Sequence, residues 1–189
     1  YMSAMIDGCI ESGKDITSGG AELTIGPAFI GTGIADLANS LSVINEFVYE
    51  KKKISMNELV DAIKKNFVGY EALKAMIEAN GRFYGNDDDY VDEFVREMTD
   101  FAFEQITQYS SYRGPKYISG LYPVASHVPH GQVVSALPYG RLEGTPLADG
   151  CSPKSGTDVK GPTAVLKSVS KINHDAHVAG TLLNIRLDP

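Results

Sequence analysis

Cys9 and Glu11 stand one residue apart in the segment Tyr1-Met-Ser-Ala-Met-Ile-Asp-Gly-Cys-Ile-Glu-Ser. A thiol and a carboxylate at this spacing can form a radical or nucleophilic centre that carries its own proton acceptor. In an extended segment, residues i and i+2 project to one face, so both side chains would point into a single cavity. Their α-carbons would lie roughly 6–7 Å apart, at about 3.3 Å of rise per residue. That spacing leaves room for a small substrate to touch both groups. The structural alternative is a buried thiol that packs as a small hydrophobe beside a solvated acid.

The other reactive residue types fit architecture better than chemistry. Cys151 lies in an Asp149-Gly-Cys-Ser-Pro153 turn and reads as a small packed residue. Arg141, Asp149 and Asp158 are expected to tie their loop together through bonds to backbone groups. His174 and His177 are three apart, but no carboxylate or thiol completes a metal site in sequence, so no metal is expected. His127 and His130 flank Pro129 near the expected end of a strand and read as core or surface histidines. Gly19-Gly20-Ala21 lacks the Lys-Ser/Thr that a phosphate-binding loop needs.

These groups must be positioned by longer elements. Residues 1–31 have short apolar runs broken by glycine, which is loop chemistry around a site. From Thr32 the apolar residues Ile34, Leu37, Ala38, Leu41 and Val48 recur with helical period, predicting a helix to about Lys52. The basic run Lys51-Lys52-Lys53 suits the end of that helix electrostatically. Ser55 and Glu58 have the spacing of a capping box and start a second helix with Leu59, Ile63 and Phe67 on its apolar side. A third helix is expected over 70–79, ended by Asn80-Gly81. Acids at 87–89 open a long fourth helix with Tyr90, Phe94, Val95, Met98, Phe101, Ala102 and Ile106 as its stripe.

Beyond residue 115 the pattern changes. Residues 121–128 read as a strand and 129–161 as a long ordered loop. Pro162 suits the first turn of a helix reaching Lys171. Residues 181–187 alternate as a strand with one polar face. Long helices between strands too far apart for hairpins favour an α/β fold.

Composition narrows the function. The 189 residues are 43% hydrophobic and 22% charged, as in a soluble globular protein rather than a disordered one. A formal charge of −7, with Lys51-Lys52-Lys53 as the only basic run, argues against nucleic acid. No apolar run approaches the roughly 20 residues that span a bilayer. Two cysteines do not make a disulfide framework, so a cytoplasmic setting is expected. Tyr1 is not an initiator and Tyr1 to Ile6 reads as mid-core, so the chain reads as an internal piece of a longer protein.

An ordered series of blocks runs through the chain. It comprises Gly8-Cys9-Ile10-Glu11, Gly19-Gly20-Ala21 and Leu-Pro-Tyr-Gly-Arg-Leu-Glu-Gly-Thr-Pro-Leu-Ala-Asp-Gly-Cys-Ser-Pro at 137–153. Gly-Pro-Thr-Ala-Val-Leu-Lys-Ser-Val-Ser-Lys at 161–171 and Thr-Leu-Leu-Asn-Ile-Arg-Leu at 181–187 complete it. This series resembles the glycyl radical enzymes, the relatives of pyruvate formate-lyase that include dehydratases, lyases and decarboxylases.

The resemblance implies an α/β fold, part of a ten-stranded barrel wrapped by long helices with the Cys-bearing loop inside. Residues 1–189 would be an internal part of that catalytic domain, lacking the N-terminal half and the C-terminal glycyl radical loop. Cys9 would be the thiyl-radical residue and Glu11 the general base, its pKa raised by apolar walls. No directly bound cofactor or metal is implied. The glycyl radical would be installed by an activase using S-adenosylmethionine and an iron–sulfur cluster. The complete protein would act on a small molecule as a homodimer, with no nucleic acid or membrane partner.

Elimination of C–O or C–N bonds and decarboxylation both remain open. Formate acyl transfer would need adjacent cysteines, and here Gly8 and Ile10 flank the thiol. Ser12 stands where many diol dehydratase and choline lyase relatives have proline. A scaffold that keeps the fold without the radical is the non-enzyme alternative.

Overall fold

The computed structural model describes residues 1–112 and 114–185. Its helices begin where the sequence supplies caps. Helix α1 is a single turn, Cys9–Ser12, and α2 runs Ile34–Val43 into a π-helical segment, Ile44–Glu50. The Lys51 N–H closes that segment on the Glu46 carbonyl, and Lys51 Nζ meets the Glu46 carboxylate at 2.5 Å. The long helix expected to reach about Lys52 is thus present, with a change of winding at its end.

Helix α3, Met56–Lys64, starts on Ser55, whose hydroxyl accepts from the Glu58 N–H at 3.1 Å. It ends earlier than its apolar pattern suggests. Phe67 reaches the core through a left-handed turn at Asn66 and Phe67, not as a helical residue. Helix α4, Glu71–Asn80, stops at Gly81 as expected.

Helix α5, Asp89–Ile106, opens on Asp88, which accepts from the Tyr90 N–H. Its buried face differs from the expected stripe. Val91, Asp92, Val95 and Thr99 face inward, whereas Phe101 is 57% exposed. This sequence carries apolar residues on more than one side, and packing against α2 selected the side with smaller residues. Asp92 can be buried there because Ser168 Oγ and Lys171 Nζ donate to it at 2.9 and 2.7 Å.

Strand β1, Ala28–Ile30, pairs in parallel with β2, Ile118–Gly120, in the register Ala28↔Ile118, Phe29↔Ser119 and Ile30↔Gly120. Helices α2 to α5 form the crossover that a parallel pair requires. A parallel bridge from Leu121 to Thr181 extends the layer, and the Cys151 N–H bonds the Leu182 carbonyl on its far side. Among the described residues the fold is mixed α/β with a two-stranded sheet. Residues 186 and 187 of the expected final strand lie outside the described residues.

The expected strand at 121–128 is displaced. Regular pairing ends at Leu121, Val124 has a left-handed backbone, and helix α6 covers His127–Val133. Pro129 is tolerated in α6 because N–H groups of a first turn have no intrahelical acceptor. Helix α7, Pro162–Ser170, begins with proline at its first position as expected.

Two apolar clusters support this frame. One joins Ala35, Ala38, Val91, Val95 and Leu121 to Cys151, Val165 and Val169. The other joins Val43, Phe47, Leu59, Phe67 and Ile77 to Ala136 and Tyr139. Both clusters therefore draw residues from the irregular 134–161 region.

Candidate active site: a thiol on a single helical turn

The Cys9 turn is created by two glycines and one acid. Gly8 and Gly13 bracket α1 with φ of +88° and +64°, conformations that L side chains rarely adopt. Between them, Glu11 Oε2 accepts the Gly8 N–H at 3.0 Å, which satisfies a donor otherwise orphaned at a helix start. Gly8 is further required by crowding, since a Cβ there would lie 2.5 Å from the Glu22 nitrogen. Asp7 and Glu22 are joined by a backbone bond of 2.8 Å.

This geometry corrects the expectation of an extended segment. Successive helical residues rotate by about 100°, so Cys9 and Glu11 diverge by about 200° and do not share a face. Cys9 is 4% exposed, whereas Glu11 is exposed. The apolar walls expected around Glu11 are therefore absent from its surroundings among the described residues. The cause is local, because left-handed glycines at each end wind the four residues between them into a turn.

Neighbouring residues stitch the segment to itself. Asp15 accepts from Ser3 Oγ at 2.6 Å and from the Thr17 N–H at 2.8 Å, and these bonds hold its carboxyl at about 2. Ser12 Oγ donates to the Gly20 carbonyl at 3.1 Å. A recess of about 590 Å³ opens between the turn and residues 19–22, lined by Asp7, Glu11, Ser12 and Glu22 among others. Around the segment Met5, Ile10, Leu23 and Ile25 are exposed. Two larger recesses, about 760 and 750 Å³, open around residues 154–156, and neither is lined by Cys9 or Glu11.

The remaining candidates fall into structural roles. Cys151 is buried, and burial pushes its thiol up to about 12, which keeps it protonated. Arg141 donates to the carbonyls of Val134, Ser135, Gly131 and Thr145, as its loop-tying role requires. Asp149 accepts from Asn184 and stands 3.7 Å from His127, whereas Asp158 is exposed and, among the described residues, does not make the loop-tying bond expected of it. His177 Nδ1 pairs with Ser119 Oγ at 2.9 Å, and His174 bonds Thr181 and the Val169 carbonyl. The two are thus engaged separately rather than as a ligand pair. His130 is exposed on α6.

Sequence reasoning missed the residues that hold the platform. Asp36, 2% exposed, accepts from Tyr139 Oη and from the Ala148 N–H. Asn39 Oδ1 accepts the Tyr84 N–H at 2.9 Å. Asn86 donates to Phe83 and Thr157 carbonyls and accepts from Val159 and Lys160. The available signal was Asp36 and Asn39 on the inward side of an otherwise apolar helix.

The sequence and the fold have known counterparts. Residues 1–131 match the pyruvate formate lyase-like family model and residues 147–189 match the glycine radical model. The chain belongs to the pyruvate formate lyase-like family of glycyl radical enzymes.

Among curated relatives, trans-4-hydroxy-L-proline dehydratase of Clostridioides difficile is 40% identical over 100% of this chain and 24% of its own length. (2S)-3-sulfopropanediol dehydratase of Klebsiella oxytoca is 36% identical, over 98% of this chain and 23% of its own length. Isethionate sulfite-lyase of Bilophila wadsworthia is 39% identical over 83% of this chain and 19% of its own length. The solved structure of the C. difficile hydroxyproline dehydratase superposes with a TM-score of 0.91 at 39% identity, covering 96% of this chain and 23% of that one. The B12-independent glycerol dehydratase of Clostridium butyricum gives 0.90 at 38%, covering 97% and 23%. The chain thus spans about a quarter of the length of the first relatives it matches. No helix among the described residues is long and apolar enough to cross a membrane.

Proposed function

We propose that this chain is the thiol-bearing part of a glycyl radical lyase that eliminates a group from a small molecule. The observation that carries the reading is a buried Cys9 on a glycine-bracketed turn with Glu11 in the same turn. Support also comes from relatives at 36–40% identity that are dehydratases. In this reading residues 1–189 are an internal part of a ten-stranded barrel. In the same reading the glycyl radical is carried by a glycine of the complete enzyme. The activase, its S-adenosylmethionine and iron–sulfur cluster, and a dimeric complete enzyme are part of the same proposal.

Cys9 gives its hydrogen atom to the glycyl radical and becomes a thiyl radical. The sulfur then takes a hydrogen atom from the carbinol carbon of the substrate, restoring S–H. A hydroxyl on a carbon radical is far more acidic, so Glu11 can accept its proton while the neighbouring group departs with the bonding electron pair. The proton follows the leaving group, and the product radical recovers a hydrogen atom from Cys9. The two side chains diverge, but the Glu11 carboxylate reaches back to the Gly8 N–H beside Cys9, and in this reading substrate meets both groups at that end of the turn.

The test is Cys9→Ser in the complete enzyme. A hydroxyl hydrogen is much harder to abstract than a thiol hydrogen, so turnover should vanish while the activase still generates the glycyl radical. Paramagnetic resonance and product assay on one sample read both quantities. Retained turnover would sink the role of Cys9. Absence of any glycyl radical after activation of the unaltered complete protein would favour the scaffold alternative.

A further inference from the structure

The turn that carries Cys9 is fastened by a side chain to which the chemistry above gives no part. Ser12 is exposed, yet its hydroxyl donates to the Gly20 carbonyl at 3.1 Å and also approaches the Cys9 carbonyl at 3.4 Å. The acceptor is itself immobilised. Gly20 is buried, its N–H bonds the Asp15 carbonyl at 3.0 Å, and a Cβ there would lie 2.1 Å from the Lys14 carbonyl oxygen. Ser12 therefore connects the last residue of the thiol turn to a buried, closely packed and hydrogen-bonded part of the backbone.

The connection matters because the turn is crowded at its start and open at its end. Gly8 and Gly13 are both left-handed, and a Cβ on Gly13 would meet nothing within 4 Å. Rotation about Gly13 would shift the end of the turn, and the sulfur with it. Gly8 is held by the Glu11 carboxylate; at the opposite end the Gly13 and Lys14 N–H groups close on the Ile10 and Cys9 carbonyls, and Ser12 adds the side-chain link that ties the turn to Gly20.

We propose that Ser12 is a positioning residue for the Cys9 thiol, fastening the thiol-bearing turn to the fixed backbone at Gly20. The geometric part of this stands alone; its catalytic consequence rests on Cys9 relaying the hydrogen atom. Radical relay is sensitive to the distance and direction of the sulfur, and a hydroxyl-to-carbonyl bond restricts both.

The experiment is peptide-resolved alkylation by iodoacetamide of the complete enzyme in its unaltered, Ser12→Ala and Ser12→Thr forms, with Cys151 of the same molecules as reference. Ser12→Ala should speed Cys9 alkylation about fivefold, equivalent to one net hydrogen bond of ~1 kcal/mol. Cys151 should keep its rate, and Ser12→Thr, which retains the hydroxyl, should return Cys9 to within about twofold. In the complete enzyme, Ser12→Ala should lower kcat by a similar factor with KM and the glycyl radical signal unchanged.

Unaltered Cys9 alkylation in Ser12→Ala, or no rescue by threonine, would overturn the proposal. Joint acceleration of Cys9 and Cys151 would do so too, since that marks general loosening. So would an unchanged kcat. The Cys9→Ser result is read separately, because loss of the catalytic reading would leave the alkylation rates of the turn as measured.

Discussion

Residues 1–26 and residues 134–161 are both rich in glycine and poor in long elements, but they are fixed by different means. In the first, Cys9 and Gly20 are the buried residues, and backbone bonds such as Glu22 to Asp7 close the segment on itself. In the second, Asp36 and Asn86 reach the loop through buried or half-buried polar bonds, Arg141 ties it from within and to Gly131, and Ala136, Tyr139, Ala148 and Cys151 enter the two cores. The comparison teaches that a reactive side chain can sit on a self-contained turn while an apparently similar loop acts as part of the core. Failure of the first should be local, and failure of the second should be global.

Four perturbations probe that contrast. The largest concerns chemistry on the local turn. Glu11→Gln in the complete enzyme keeps size and an acceptor for the Gly8 N–H but loses the proton acceptor. Turnover should fall about 10²–10⁴-fold with a smaller change in KM. A rate within about threefold of the parent would leave less than ~1 kcal/mol for the carboxylate, and Glu11 would then be only a cap.

Asp36→Ala tests the platform. It strips acceptors from Tyr139 Oη and the buried Ala148 N–H, at a cost of ~2–6 kcal/mol, since each orphaned group costs ~1–3 kcal/mol. Urea unfolding followed by circular dichroism measures it. A loss below ~1 kcal/mol would show that the loop does not depend on this carboxylate. Cys9 alkylation under native conditions should stay within about twofold of the parent, which an event spreading from platform to turn would contradict.

Gly20→Ala is the complementary perturbation. The added methyl would overlap the Lys14 carbonyl oxygen, and overpacking of this kind costs ~1–3 kcal/mol. Because the segment closes on itself, the cost should appear as faster Cys9 alkylation with the global unfolding midpoint nearly unmoved. A large fall in that midpoint would erase the distinction between the two regions.

The smallest effect is a pH dependence. Burial lowers the pKa of His177 from its ordinary value, opposed by the Asp100 carboxylate. The unfolded chain therefore binds a proton near pH 6.5 that the folded chain resists, so stability is present above that pH and declines as pH falls through it. His177→Gln should flatten the dependence between about pH 5 and 7. An identical slope in the variant would assign the dependence to other groups.

Much of the architecture was legible because it is written in short-range chemistry. The Ser55 cap, the Asn80-Gly81 stop, the acidic start of α5 and the proline start of α7 are decided within a few residues. The thiol and its neighbouring acid were equally visible, as residue types at a spacing. Other features depended on what came to lie opposite. The apolar residues of α5 occupy more than one side, and only contact with α2 chose Val91, Val95 and Thr99 over Phe101. Asp36 and Asn39 are costly inside a helix core until Tyr139, Ala148 and Tyr84, from 45 to 112 positions away, satisfy them.

The sequence by itself determined the composition of the site, a sulfur and a carboxylate between glycines. The direction of those groups was decided by backbone conformation: left-handed Gly8 and Gly13 wind the intervening residues into a turn, which buries Cys9 and exposes Glu11. Glycine permits that conformation without compelling it. The choice was made by the close approach of Glu22 to Gly8 and of Lys14 to Gly20, contacts that exist only once the chain has folded back on itself.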